Sequence, residues 1–340
     1  MERALPTIKQ IAKQLNISAS TVSRALHDHP SIGLRTKTRV QQLAKELNYE
    51  PNQTAIFFQQ GRTYTIGVVL PELSEAFFSS AISGIEDCAQ KNNYTVLMGQ
   101  SHDDPAKEIQ LVETMKNHRV DGLLISISKN TRDYAHFENL KRYNIPVVFF
   151  DRVPQMNNIH SIECNIESGM IQAINLLIKK GHRQIGFING PENFKASKDR
   201  ANGYMKGLQK NRLKIDPSLI ISSELSKEGT YAALEKLFSM KRKPTAIIAF
   251  NDYVALDTMA YAKQKNIDLS KEIDLVSFAN LPVWNYFDDP PIASIEQFPY
   301  KQGEKAMETL LELLETRNPD SGGPIPFFNI VFESQLIIKP

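Results

Sequence analysis

Residues 18–26 read SASTVSRAL, placing three serines and a threonine within six positions and then an arginine and two small apolar residues. Hydroxyls at this density give and accept hydrogen bonds. Bond-making chemistry needs a nucleophile beside its base, paired carboxylates, a metal cluster or a phosphate loop. None is written here: GxxxxGK[ST], GxGxxG, HExxH and GxSxG are all missing from the chain. Cys88 and Cys164 stand far apart with no histidine or cysteine at ligand spacing, so they read as small buried hydrophobes and not as a disulfide or zinc site. His27 and His29 fall in a polar loop suited to a backbone phosphate or solvent. The chemistry on offer is recognition: short polar side chains with Arg24 one turn further on, whose planar fork fits guanine or a phosphate.

The elements that must present those side chains are three short helices. Thr7 caps IKQIAKQLN, in which Ile8, Ile11, Ala12 and Leu15 repeat at i, i+3, i+4, i+7. Ile17 then packs inward, and Ser18 caps a second helix whose inward positions are Val22, Ala25 and Leu26. Ala19, Ser20, Ser23 and Arg24 are left facing outward. After the loop HDHPSIG, with Gly33 as a weaker cap, a third helix over 34–47 buries Val40, Leu43, Ala44 and Leu47. Two helices joined by a three- to four-residue turn, closed by a third, form a helix-turn-helix module.

Charge supports the division. Residues 1–62 hold nine Lys/Arg against four acids, a balance of +5, so the remainder of a chain of net charge +2 carries −3. A basic head on a mildly acidic body is the distribution of a polyanion-binding module attached to a separate domain. At 340 residues, 41% of them apolar, two or three units are expected. Apolar runs such as 145–150 stop far short of the roughly 20 residues that span a bilayer. The charged start MERALPTIKQIAKQLN does not read as a secretory signal, so no membrane association and a cytoplasmic location are expected.

The stretch 7–52, with ISASTVSR, TRV at 38–40 and LNYEPN at 47–52, closely resembles the DNA-binding head of the lactose-repressor (LacI/GalR) family of bacterial transcription regulators. The resemblance implies that Ala19 and Ser20 select bases and that Arg24 makes a shared base contact. The DNA-facing set is then Thr7, Ser18, Ala19, Ser20, Thr21, Ser23, Arg24 and His27, with Asn52, Ala55 and Phe58 from the segment that matches the family's hinge. Phe58 stands where relatives place a leucine that wedges into the minor groove, and phenylalanine is a known wedge between base steps.

From residue 65 onward, strand-like runs alternate with helical ones: TIGVVLP, YTVLMGQS, GLLISIS, VVFFD, QIGFING, AIIAFN and IDLVSFAN. Helices over 77–91 and 108–118 are examples of the crossovers, and FESQLIIKP reads as one final strand. This alternation implies parallel sheets covered on both faces, with a ligand site at the carboxyl ends of the strands. The fold class expected is therefore α/β: a three-helix head and hinge, then a two-lobed body of doubly wound parallel sheets.

The body resembles the same family and the periplasmic sugar-binding proteins over nearly all of 63–340. That resemblance implies three crossings between lobes, near residues 163, 292 and 327. The expected domains are 1–50 for the head, 51–62 for the hinge, 63–163 with 293–326 for one lobe, and 164–292 with 327–340 for the other. It also implies a cleft lined by Phe78, Ser126, Asp151, Arg200, Tyr231, Asn251 and Asn280, a set that suits a sugar or another small polar ring. Two departures stand out: Ala279 replaces the aspartate that sugar-binding relatives usually carry after VGF, and Cys164 replaces a common acidic residue.

The expected partners are thus double-stranded operator DNA, a sugar-like effector and a second copy of the chain, with no cofactor and no enzymatic activity. A solute-binding receptor without a transcriptional role, or a regulator controlled by a protein partner, are the competing functions.

Overall fold

The computed structural model describes residues 6–50, 61–192, 194–316 and 326–339, in two units, Met1–Thr63 and Tyr64–Pro340. The hinge positions Asn52, Ala55 and Phe58 lie outside the described residues.

In the first unit, helix α1 runs Ile8–Leu15, α2 Ala19–Leu26 and α3 Leu34–Glu46. Thr7 and Gln10 form a reciprocal capping box, satisfying amide donors that a helix start leaves open. The turn into α2 depends on Asn16, whose φ of 52° closes α1 in the left-handed region. Ile17 N–H then donates back to the Ala12 carbonyl at 3.0 Å. Ile11, Ala12, Val22, Ala25, Val40 and Ala44 are buried, and Ile8, Leu15, Ile17, Leu26, Leu43 and Leu47 pack around them. α3 stops one residue before the expected Leu47, which caps its end.

The second unit is built on two six-stranded sheets. The first has β1 (Thr65–Leu70), β2 (Thr95–Gln100), β3 (Gly122–Ile125), β4 (Val147–Phe150), β5 (His160–Asn165) and β11 (Asn329–Glu333) in the order β11-β5-β4-β3-β1-β2. The second has β6 (Ile185–Asn189), β7 (Ile220–Ser222), β8 (Ala246–Ala249), β9 (Asp274–Phe278), β10 (Ala293–Glu296) and β12 (Gln335–Ile338) in the order β12-β10-β9-β8-β6-β7. All pairings are parallel except β10 with β12.

Helices α4 (Ala76–Lys91), α5 (Pro105–Asn117), α6 (Ala135–Leu140) and α12 (Pro299–Glu315) serve the first sheet. The second is covered by α7 (Ile166–Lys179), α8 (Lys195–Lys210), α9 (Lys227–Phe238), α10 (Asp252–Lys265) and α11 (Leu269–Glu272). Each sheet thus has an apolar layer on both faces, which is why its strands read as near-continuous runs of Val, Ile and Leu.

The pairing moves two expected boundaries. Residues 293–296 were expected in the first lobe, but β10 pairs with β9 and β12, and Ala293 and Ile295 sit in the core of the second sheet. The crossing falls after it, at Gln297 and Phe298. Residues 327–333 were expected in the second lobe, but β11 pairs with β5, and Ile330 and Phe332 pack on the first core. The single final strand is therefore two strands in different sheets, broken at Ser334. That residue is 2% exposed. Its hydroxyl accepts from Gly169 N–H at 2.8 Å and donates to the Asn165 carbonyl at 2.6 Å, tying the first and third crossings together.

Candidate nucleic-acid interface and effector cleft

The face of α2 that the head leaves open is polar and short. Ser18 Oγ accepts from Thr21 N–H at 3.0 Å and lies 2.8 Å from both the Ser20 and Thr21 hydroxyls. This caps the helix and holds its first turn in one arrangement. Ser20 and Arg24 are exposed, and the Arg24 side chain makes no hydrogen bond or ion pair among the described residues. Its five donors are open to a partner. His27 is exposed, and its Nδ1–H donates to the Ser23 carbonyl at 2.8 Å, leaving Nε2 outward. Thr7 is exposed and capping, while Thr21 and Ser23 are half-buried. Ala19 departs from the expectation: it is half-buried and packed on the head's core, so its methyl is shared between the protein and the open face.

In the second unit the crossover positions bring side chains of both lobes together. Ser126 follows β3 and Asp151 follows β4, at the carboxyl ends of adjacent strands. Asp151 takes a left-handed φ of 59°, and Ser126 Oγ donates to its carboxylate at 3.5 Å. From the other lobe comes Arg200, 5% exposed in α8. Its Nε donates to the Phe250 carbonyl at 3.1 Å and its Nη1 to the Ala196 carbonyl at 3.2 Å. The Phe250 and Phe278 rings cover its faces, with centroids 4.1 and 4.5 Å from the guanidinium carbon.

Burial pushes Asp151 above the usual carboxylate range, with Arg152 and Arg200 pulling it back. Burial likewise lowers Arg200 to about 10, against the fields of Asp151 and Asp199. The two charges act on each other across the cleft, yet among the described residues Arg200 has no carboxylate within 4 Å. A buried guanidinium with open in-plane donors beside the half-buried Asp151 carboxylate can serve a ligand with oxygen acceptors and hydroxyl donors. Cys164 lies within reach of both, its thiol pushed by burial up to about 12, so it stays protonated and presents no thiolate.

Three residues on which the sequence reading was silent complete the arrangement. Arg152 donates to Asp103 at 2.8 Å and lies between two rings, Phe78 of the first lobe at 5.6 Å and Phe194 of the second at 5.2 Å. Lys195 of the second lobe reaches Glu163 of the first at 2.9 Å. The signal for Arg152 was its place next to Asp151, directly after a strand. For Phe194 and Lys195 the sequence carries none, because they meet the first lobe only through the fold.

Other expected cleft residues are occupied by the protein itself. Phe78 is 1% exposed and belongs to the first core, touching the cleft only through Arg152. Tyr231 packs edge-on against Tyr261 of α10 at 5.2 Å, with Lys227 over its ring. Asn251 caps α10, its Oδ1 accepting from Val254 N–H at 3.0 Å. Asn280 is used on every side: its N–H donates to Ser294 Oγ at 3.0 Å, its amide nitrogen to Glu296 at 2.9 Å, and its amide oxygen accepts from Lys339 at 2.6 Å. The loop holding it is strained, with Ala279 at φ 98° and Asn280 at 51°. Buried Asp252 anchors it, accepting from Leu281 N–H at 2.6 Å, from Ser294 Oγ at 3.1 Å and from the Ser277 hydroxyl.

A groove of about 840 Å³ lies elsewhere, at the opposite end of the second lobe, between Leu256, Met259, Ile267, Phe287 and Ile292. It is large and apolar, but the converging buried charges are in the cleft.

Comparison with known proteins agrees with this architecture. Residues 7–52 match the family model described as bacterial regulatory proteins, lacI family. Residues 63–329 match the model described as periplasmic binding proteins and sugar binding domain of LacI family. The chain belongs to the LacI family of DNA-binding transcription regulators. It is 28% identical to catabolite control protein A of Priestia megaterium, over 93% of this chain and 94% of that protein. It is 30% identical to the HTH-type transcriptional repressor PurR of Aliivibrio salmonicida (strain LFI1238), over 92% and 94%. Among solved structures, the Lac repressor dimer bound to operator and the anti-inducer ONPF matches its fold with a TM-score of 0.82 at 22% identity, over 99% of this chain and 98% of that one. The PurR and Lac relatives are named as repressors, and among the described residues no helix is long and apolar enough to cross a membrane.

Proposed function

We propose that the chain is an effector-controlled repressor that binds operator DNA as a homodimer. α2 enters the major groove, Arg24 makes the principal base contact, and Ser20 with the Ala19 methyl sets the neighbouring preference. The hydroxyls of Ser18, Thr21 and Ser23, with His27 and Thr7, hold the helix against the phosphates. The cleft takes a small polyhydroxylated ring whose oxygens accept from Arg200 and Arg152 and whose hydroxyls donate to Asp151. Binding there changes the angle between lobes and so the fitness of the head for DNA.

The observation that carries this reading is the exposed Arg24, without a side-chain partner among the described residues, on a helix whose first turn is fixed by Ser18. The Lac repressor dimer seated on its operator supports the assembly, and the sugar-binding family description supports the effector class. Because Ala279 replaces the usual acid and Asn280 is bonded within the protein, hydroxyl recognition falls to Asp151 and the two arginines. The site therefore favours sugars with an additional acceptor group, such as a sugar phosphate. The test is a thermal-shift screen of sugars and sugar phosphates on the full chain, since a selective ligand stabilises the fold by mass action. A shift for one such compound, lost in Arg200→Lys, supports the site; a shift of equal size in that variant refutes it.

A further inference from the structure

The carboxyl ends of the second sheet's strands face the cleft, so their amino ends gather at the opposite pole. There β8, β6 and β7 start side by side. The turns leading into them, at 179–184, 210–216 and 235–243, carry ten Lys/Arg against two carboxylates, Asp216 and Glu235. The net charge of +8 is set in a body that holds 31 cations and 34 carboxylates over residues 63–340. All ten cations are exposed. Lys180 pairs with Asp274 at 3.2 Å; among the described residues none of the other nine has a carboxylate within 4 Å.

The turns are anchored to the elements beside them. Thr245 N–H donates to the Gln184 carbonyl at 2.9 Å, His182 Nδ1 lies 2.8 Å from Thr245 Oγ1, and the Asn211 amide donates to Asn175 at 2.6 Å. The charge is therefore a standing feature of one surface. Concentrated like charge repels itself, and it attracts a partner of opposite sign.

The surface also narrows the partner. None of the exposed large hydrophobic residues lies in these three turns. Within the three turns no exposed ring stands ready to stack on unpaired bases, as single-strand binders require, and no exposed apolar side chain offers a bilayer anchor; the apolar groove with Phe287 lies beyond Lys180, at the edge of this surface. What remains is backbone phosphate at high density, which duplex DNA presents at about one charge per 1.7 Å of axis. We propose that this pole of the second lobe is a second, sequence-independent surface for double-stranded DNA, additional to the head.

The test uses the full chain and a labelled 40-base-pair duplex of arbitrary sequence, titrated between low and physiological salt. It compares the wild type with Lys210→Gln, Arg212→Gln, Lys241→Gln, Arg242→Gln combined, and with the pair Lys241→Gln, Arg242→Gln alone. Each phosphate contact contributes roughly 0.9 to the slope of log affinity on log salt. The fourfold variant is expected to lose about 3.6 from that slope and at least tenfold in low-salt affinity, and the pair about half of that slope change. The pair keeps the proposal testable should the fourfold variant fold poorly. Equal slopes in wild type and variants overturn the proposal. So does tighter capture of poly-glutamate than of the duplex, lost in the variants, which would assign the surface to an acidic protein segment.

Discussion

The open face of α2 and the interlobe cleft are both recognition surfaces, and they are built in opposite ways. On α2 the functional side chains come from nine consecutive residues, their backbone is fixed by one cap, and the Arg24 side chain is left without a partner among the described residues. In the cleft they come from positions as far apart as Phe78 and Arg200, and much of their bonding capacity is spent inside the protein. Asn251 caps a helix, Asn280 links Lys339 to Glu296, and Arg200 holds two carbonyls. A helix that reads a rigid, extended polyanion needs only presentation. A cleft that encloses a small ligand needs buried polar groups, each of which must be satisfied or it destabilises the fold.

The comparison breaks most readily at Arg200. Arg200→Lys keeps a cation but removes the planar fork and the two carbonyl bonds in that geometry. Effector affinity is expected to fall by about 100-fold or more, in the range of a lost buried charged hydrogen bond, while operator affinity without effector is unchanged. Calorimetric titration with the compound found in the thermal screen measures the first and a gel-shift assay the second. Arg24→Ala is the counterpart on the head. Losing one bidentate base contact costs about 1–3 kcal/mol, roughly 5- to 150-fold on operator DNA, with a much smaller loss on random duplex. An equal loss on both would demote Arg24 to a phosphate contact.

Two further variants sharpen the contrast. Asp151→Asn removes a carboxylate that burial keeps reluctant to ionise. Its folded pKa is raised above the unfolded value, so ionisation weakens the fold as pH rises, and the variant's gain is greatest near neutrality. It should disappear below the ordinary aspartate value of 3.8. Without effector the variant is expected to melt roughly 2–4 °C higher at pH 7, the shift that about 1 kcal/mol produces in a body of this size, while binding effector more weakly. Asn280→Ala should do the reverse, lowering stability by about 1 kcal/mol with little change in effector affinity, because its amide is spent on Glu296 and Lys339. A local effect of similar size is expected of Ser18→Ala, which removes the α2 cap at a cost of about 1 kcal/mol to the head, seen in amide exchange of α2.

The head was legible in the sequence nearly residue by residue. Its helices are local, and caps and apolar periodicity settle which face turns in; Ala19 and Ser23, read as outward, are half-buried, Ala19 because a first-turn methyl touches both core and solvent. In the body, seven strand runs and the final strand were plain, while the short or partly polar β5, β7 and β10 were not read as strands. What escaped was pairing: β10 and β11 were assigned to the wrong sheets because two strands of four and five residues carry no mark of their partner, and the break at Ser334 depends on a hydroxyl network among Gly169, Asn165 and Ser168. The cleft suffered the same way. A side chain's position there says little about whether its donors are free, and Tyr231, Asn251 and Asn280 are engaged by groups distant in sequence or by their own helix ends.

The central claim is that one chain reads DNA with α2 and is controlled from the cleft. It is tested most directly by measuring operator affinity of the full chain with and without the cleft ligand, in wild type and in Arg200→Lys. The account predicts a change of at least fivefold, the lower range of allosteric coupling, in the wild type and none in the variant. Saturation of the cleft with operator affinity unchanged in the wild type would contradict it.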